Sequence, residues 1–144
     1  MNSSFEICRL AARFANKELK IRNAHLKQVN LTTEQSYTLQ YIYEHPGASI
    51  KELAAYLGVT HQVSCGITDR LKKKDLIEIQ VSSKDGRVRL LQITEQGEKL
   101  YHWIHENGEN TGKRITAGMS IEEQEEFVRL LNKAISSLEE GESH

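Results

Sequence analysis

The chain has 144 residues, of which 38% are apolar and 27% charged, so it can bury a sizeable core and is too apolar to be disordered. The net charge is −1, yet residues 51–99 carry nine Lys and Arg against seven Asp and Glu, which leaves a phosphate-binding surface possible. No apolar run approaches the roughly 20 residues of a membrane span. The N-terminus also lacks the order of a signal peptide, which predicts a cytoplasmic protein.

An apolar stripe with helical spacing predicts a long first helix over residues 5–28. So small a domain cannot easily cover the whole stripe, so we expect part of it to pack against a second subunit. A second helix is predicted to begin at a capping box of Thr32 and Gln35 and to run to about His45.

Two short helices separated by a sharp turn come next, and the rest of the chain is arranged around them. Ser49 and Glu52 form a further capping box, which predicts the start of the third helix. Gly58 is suited to the left-handed residue that ends this helix. Thr60 is the predicted N-cap of the fourth helix.

The fourth helix is predicted to have one apolar and one polar side. Val63, Ile67 and Leu71 recur every four residues, so we expect them to face the core. The opposite side is the candidate contact surface, predicted to hold His61, Gln62, Cys65, Asp69 and Lys72, with Thr68 at its edge. Three lysines at 72–74 end the helix, where positive charge suits the helix dipole.

A two-stranded hairpin follows this helix. Residues 77–81 alternate between apolar and polar and predict one strand, and residues 88–93 predict a second. Asp85-Gly86 between them is a strong turn signal, and Lys84 and Arg87 add positive charge beside it. The order predicts a mostly α fold with a small β-hairpin wing. This is a winged helix-turn-helix, a unit that places a helix in the major groove of DNA.

The C-terminal part is predicted to hold two more helices. The fifth begins at Thr94 and continues through Trp103. The sixth begins at a capping box of Ser120 and Glu123, and its end is expected to fray from Glu139 onward.

Several of these segments resemble the MarR family of transcriptional regulators. The matching segments are LTTEQSYTLQYI, KELAAYLGV, TDRLKKKDLIE and DGRVRLLQITEQG, with the wing pattern Asp85-x-Arg87 the strongest element. The chain length predicts a single domain over 1–144, and the resemblance implies a winged helix-turn-helix lobe within it at about 31–99. It implies a homodimer held by helices at about 5–28 and 100–138. It also implies binding to a pseudo-palindromic DNA operator, usually as a repressor, with release by a small ligand or a modification.

In this family a wing arginine enters the minor groove and an acidic residue supports it, and Arg87 and Asp85 match these two positions. The candidate DNA-binding residues are therefore Ser49, Thr60, His61, Gln62, Ser64, Cys65, Lys72, Lys84, Asp85 and Arg87. The chain departs from the family at Gly66 and Gly86, where the family often has arginine, and at Asp75, where it often has glycine. These departures leave the operator sequence open.

The two cysteines allow an alternative within the class, a redox-sensing regulator. The spacing from Cys8 to Leu31-Thr32 resembles that of the reactive cysteine in the organic-hydroperoxide-sensing branch of the family. The tyrosines that support that thiol are replaced here by Arg22 and Thr33. Cys8 is otherwise a small helix residue. Cys65 is either a second redox site or a small residue in contact with a base.

Other residues allow further sites. Tyr37, Tyr41 and Trp103 could line a pocket for a small aromatic ligand, although such aromatics more often belong to the core. His102, His105 and Glu106 share one side of a helix, which suits either zinc or an exposed polar surface. A dimeric protein-interaction module without DNA binding is the alternative from another class. No phosphate loop, nucleophile elbow or paired carboxylates indicate an enzyme, and no cofactor is expected.

Overall fold

Side-chain caps fix where the helices begin. In the computed structural model, which describes residues 3–142, the Thr32 hydroxyl accepts the Gln35 N–H at 3.1 Å and the Gln35 side chain accepts the Thr32 N–H at 3.3 Å. The Thr60 hydroxyl accepts the Val63 N–H at 3.2 Å. The capping box of Ser120 and Glu123 is also present. These caps confirm three helix starts expected from the sequence.

Residues 3–142 form six helices and one hairpin, which confirms the expected fold class. They are α1 (Ser4–Gln28), α2 (Thr33–Glu44), α3 (Ile50–Leu57), α4 (His61–Lys73), β1 (Ile77–Val81), β2 (Arg89–Ile93), α5 (Glu95–Ile115) and α6 (Ile121–Glu142). Strand β2 begins at Arg89 rather than at residue 88. Helix α6 continues to Glu142, so the fraying expected from Glu139 is wrong for the described residues. Residues 143 and 144, to which that expectation also applied, lie outside them.

The turn between α3 and α4 depends on Gly58. Its φ of +68° is left-handed, and its N–H donates to the carbonyl of Ala55 at 3.3 Å. A residue without a Cβ adopts this conformation at little cost, so α3 ends there and the chain can turn sharply into α4.

The hairpin packs against the helices through one side of each strand. Its antiparallel register pairs Ile77 with Ile93 and Ile79 with Leu91. Leu91 also donates its N–H to the Ala48 carbonyl at 2.8 Å, which ties β2 to the segment before α3. The hairpin root is therefore fixed to the core, while Lys84, Gly86 and Arg87 near its tip are exposed.

One apolar cluster joins these elements. Its fully buried members are Leu39 and Ile42 of α2, Leu53 of α3, Leu71 of α4, Ile77 of β1 and Leu91 of β2. Burying such a side chain stabilises the fold by about 1.5–3 kcal/mol, so this cluster holds α4 and the hairpin in a fixed relation.

The start of α5 fits closely against the start of β1. The Thr94 hydroxyl donates to the Asp75 carbonyl at 2.7 Å and accepts the Gly97 N–H at 3.0 Å. A Cβ on Gly97 would lie 2.1 Å from the carbonyl oxygen of Leu76. A glycine is therefore required at residue 97 by the closeness of two backbones.

The chain falls into two compact units that divide between Gly108 and Glu109, within α5. The organisation as one domain, with a lobe at about 31–99 and dimerisation helices at about 5–28 and 100–138, stays a prediction. Over residues 3–142, no helix combines the length and the apolar character of a membrane span.

Candidate nucleic-acid interface

The two sides of α4 differ from those expected. Ser64 and Thr68 are fully buried, whereas Val63 is 48% exposed. The Ser64 hydroxyl donates to the Ile50 carbonyl of α3 at 3.4 Å, and the Thr68 hydroxyl donates to the Ser64 carbonyl at 3.1 Å. Small side chains whose hydroxyls find local acceptors are buried at low cost and let α3 approach α4.

These positions correct four sequence-based assignments. Val63 does not face the core, Thr68 is not at the edge of the contact surface, and Ser64 is not placed to contact DNA. Cys65 was predicted to belong to the contact surface, but it is half-buried and packs against the apolar cluster, so it lies at the margin of that surface.

The outward side of α4 is consequently rotated from the predicted one. The stripe opposite the buried side consists of Gln62, Gly66, Asp69 and Lys73, with Val63 and Arg70 next to it. We call these six residues the α4 outer face. Val63 and Arg70 of this face were not predicted from the sequence to contact DNA. The spacing of Ser64, Ile67, Thr68 and Leu71 could have indicated the buried side, but only if hydroxyl residues had been accepted as core.

The wing holds Arg87 in a defined position. The Arg87 N–H donates to the Asp85 carboxylate at 3.0 Å, and the guanidinium Nε donates to the same oxygen at 3.3 Å. The Arg87 side chain nevertheless remains 92% exposed. Arg89 donates to the Gly86 carbonyl at 3.1 Å, which adds a second cation near the tip. The structure thus brings together the two wing residues that the sequence analysis singled out.

The other candidate residues divide by exposure. His61, Gln62, Lys72 and Lys84 are exposed side chains of α4 and the wing. Ser49 and Thr60 use their hydroxyls as caps, since Ser49 accepts the Glu52 N–H at 3.0 Å. Any contact that these two residues make with DNA would therefore come from the first turns of α3 and α4, where they are the N-caps.

The lysine run that ends α4 is not uniform. The Lys74 ammonium donates to the Asn30 carbonyl at 2.5 Å and to the Gln35 side chain at 3.1 Å. It therefore fastens the end of α4 to the corner between α1 and α2. Lys72 and Lys73 are exposed, so they are the members of the run with free access to a phosphate.

The residues of the expected ligand pocket have separate surroundings. Tyr37 accepts a hydrogen bond from Arg22 of α1, and the Arg22 guanidinium lies 5.2 Å from the Tyr37 ring centroid. Tyr41 stacks on Tyr56 at a centroid distance of 4.6 Å, and burial raises the pKa of its hydroxyl, with Glu52 adding to the shift. Trp103 is half-buried on α5. A shared ligand pocket stays a prediction.

The redox and metal alternatives also stay open. Cys8 is exposed on α1. His102 lies 3.9 Å from Glu98 and packs edge-on against Tyr43 and Tyr101, with His105 also near Tyr101. Within residues 3–142, no group of three or more metal-ligand side chains is arranged around a common point.

Comparison with known proteins agrees with this architecture. Residues 29–88 match the model of the MarR family. An uncharacterised HTH-type transcriptional regulator of Bacillus subtilis, YybA, is 27% identical over 119 residues, which cover 83% of this chain and 79% of that protein.

Solved structures cover almost the whole chain. The S. aureus MepR–DNA complex matches with a TM-score of 0.75 and 25% identity, over 96% of this chain and 99% of that one. A MarR protein from Peptoclostridium difficile matches with a TM-score of 0.82 over 98% of this chain and 91% of that one, at 22% identity, which bears on the fold alone.

The six helices and the wing define a winged helix-turn-helix protein. The resemblance seen in the sequence is confirmed over residues 29–88, which match the model of the MarR family of transcriptional regulators.

Proposed function

We propose that this regulator is a homodimer that binds a pseudo-palindromic sequence in double-stranded DNA and represses transcription from it. The observation that carries the proposal is the exposed Arg87 guanidinium, held at the wing by Asp85. The Nε hydrogen bond restricts the guanidinium before DNA arrives, and the backbone N–H bond keeps the Asp85 carboxylate beside it. Less conformational entropy is then lost on binding, and the cation is already directed outward.

The α4 outer face supports the same function. Four of its six residues, Gln62, Asp69, Arg70 and Lys73, are polar or charged, and α4 is followed directly by the wing. A major groove about 12 Å wide admits one α-helix, and a hairpin beside it reaches the neighbouring minor groove. In this arrangement α4 reads base edges and Arg87 contacts the minor groove. MepR, whose fold this chain shares, has been solved in complex with DNA.

Apolar surfaces on the terminal helices support a homodimer. On α1, Phe5 is 72% exposed and Ile7 60% exposed. In α6 no residue is buried within the described chain, and Val128, Ile135 and Leu138 form an exposed apolar stripe. Helices of this length with an apolar side require a partner surface. A second copy would place two α4 helices about 34 Å apart, or a small multiple, as successive major grooves require.

Release from DNA would follow from a shift between two dimer states. A ligand or a modification that favours a dimer with wrongly spaced α4 helices needs a coupling of only about 1–3 kcal/mol. Tyr37, Tyr41 and Trp103 remain the candidate ligand residues, and Cys8 and Cys65 the candidate modification sites.

The test is selection of bound fragments from the host genome by the wild-type protein and two arginine variants. We expect the wild type to enrich a small set of fragments sharing an inverted repeat. Arg87→Ala should lose this enrichment, while Arg129→Ala should keep it. Arg129 is a matched control because it is also an exposed arginine paired with a carboxylate, Glu126, but lies on α6. Failure of the wild type to enrich any fragment would refute the proposal.

A further inference from the structure

Val63 gives the α4 outer face an apolar site. Its side chain is 48% exposed, whereas the other exposed side chains around it on α4 are polar or charged. At this level of the helix the side that packs against α3 is occupied by Ser64, whose hydroxyl donates to the Ile50 carbonyl, and Val63 lies outside it. The valine methyl groups are therefore held outward in the first turn of α4.

Gly66 makes a recess beside this valine. Residues three apart are neighbours on a helix surface, so Val63 and Gly66 adjoin each other on the outer face. A Cβ built on Gly66 would meet no atom within 4 Å. The space is open, its floor is helix backbone, and Gln62 and Arg70 border it at helical spacing. Nothing in the local backbone demands glycine, because the residue lies within a regular helix.

We infer that Val63 and Gly66 form a contact site for the C5-methyl group of a thymine in the major groove. This inference rests on the proposed DNA binding, and it identifies one of the bases that α4 contacts. Of the four bases, thymine alone presents a methyl group in the major groove, and apolar side chains recognise it by van der Waals contact. The recess admits the methyl group close to the helix, and the valine covers its side.

The size of the effect follows from one buried methyl group. Removing such a group from an apolar contact lowers affinity about fourfold. A homodimer would make the contact once in each half-site. Replacing thymine by deoxyuridine, which lacks only the methyl group, should then weaken binding about fourfold for one half-site.

The experiment uses a duplex selected from a randomised library by the full-length protein. Each thymine is replaced in turn by deoxyuridine, and affinity is measured by fluorescence anisotropy for the wild type, Val63→Ala and Gly66→Ala. We expect one position in each half-site at which deoxyuridine weakens DNA binding by the wild type about fourfold. At the same position, the affinity of Val63→Ala should be nearly unchanged. Gly66→Ala, whose Cβ occupies the recess, should also lose the preference for thymine.

The outcomes separate this inference from the proposed function. If the selected duplex is bound but no thymine shows the effect, the inference is wrong and DNA binding stands. The same conclusion follows if the effect is as large in Val63→Ala as in the wild type. If no duplex is bound by a folded wild-type protein, the proposed function fails and the inference with it. Circular dichroism checks folding, which an exposed Val63→Ala change should preserve.

Discussion

Arg87 donates two hydrogen bonds to a single carboxylate oxygen of Asp85, from its backbone N–H at 3.0 Å and from its guanidinium at 3.3 Å. The acid orients the arginine without covering it, since the arginine side chain stays 92% exposed. An exposed ion pair of this kind adds little to stability. The role of this ion pair is to orient the positively charged guanidinium of Arg87.

The Asp85→Ala variant tests whether Asp85 affects DNA binding by orienting Arg87 or through its own negative charge. Deleting a negative charge near DNA should raise affinity if electrostatics alone mattered. We instead expect a loss of several-fold, because Arg87 becomes free to adopt many rotamers. Anisotropy titrations of the single and double variants with Arg87→Ala measure the coupling. Tighter binding by Asp85→Ala than by the wild type would contradict a positioning role for the acid.

Gly66→Ala should stabilise the fold. Glycine within a helix costs about 0.5–1 kcal/mol relative to alanine, and the added Cβ meets no atom within 4 Å. Urea denaturation should therefore give a free energy of unfolding higher by about that amount. An unchanged or lower stability would show that the open space at Gly66 is not available to a side chain.

Gly97→Ala should have the opposite effect. The new Cβ would lie 2.1 Å from the Leu76 carbonyl oxygen, so α5 must move away from the start of β1. Overpacking of this kind costs about 1–3 kcal/mol or more. Gly108→Ala is the matched control on the same helix, because its Cβ meets no atom within 4 Å and it should stabilise slightly. Equal unfolding midpoints for the two variants would contradict the close backbone contact.

Asp75→Gly should also stabilise the protein. Asp75 has a φ of +60°, in the left-handed region that disfavours residues with a Cβ. Its carbonyl accepts the Thr94 hydroxyl, and glycine keeps that acceptor. We expect a gain of about 0.5–1 kcal/mol in unfolding free energy, with Asp75→Ala giving no such gain. A loss of stability in Asp75→Gly would mean that the aspartate side chain makes a compensating contact.

The helices and the wing could be predicted from the sequence because the residues that determine them are close together in the chain. Each capping hydroxyl, of Thr32, Thr60 and Ser120, accepts a hydrogen bond from an amide three residues later. The capping pattern in the sequence therefore predicts the bond seen in the structure. The left-handed Gly58 is likewise a property of one residue. The Asp85–Arg87 pair spans two residues, and family resemblance supplied its role.

The orientation of α4 could not be predicted from the apolar spacing of its residues. Apolar spacing favoured Val63 for the core, but Ser64 is buried because its hydroxyl reaches the Ile50 carbonyl, fourteen positions away. The engagement of Lys74 with Asn30 and Gln35 likewise joins distant parts of the chain. Such tertiary hydrogen bonds decide which polar residues are buried, and hydrophobic periodicity does not report them.

The salt dependence of binding to a selected duplex tests the central claim most directly. We expect the logarithm of the wild-type binding constant to fall steeply and linearly with the logarithm of salt concentration, because phosphate contacts release counterions. Arg87→Ala should bind at least about tenfold more weakly, with a slope shallower by about one unit per subunit. Arg129→Ala should match the wild type. Identical affinity and slope for Arg87→Ala and the wild type would contradict the role of the wing.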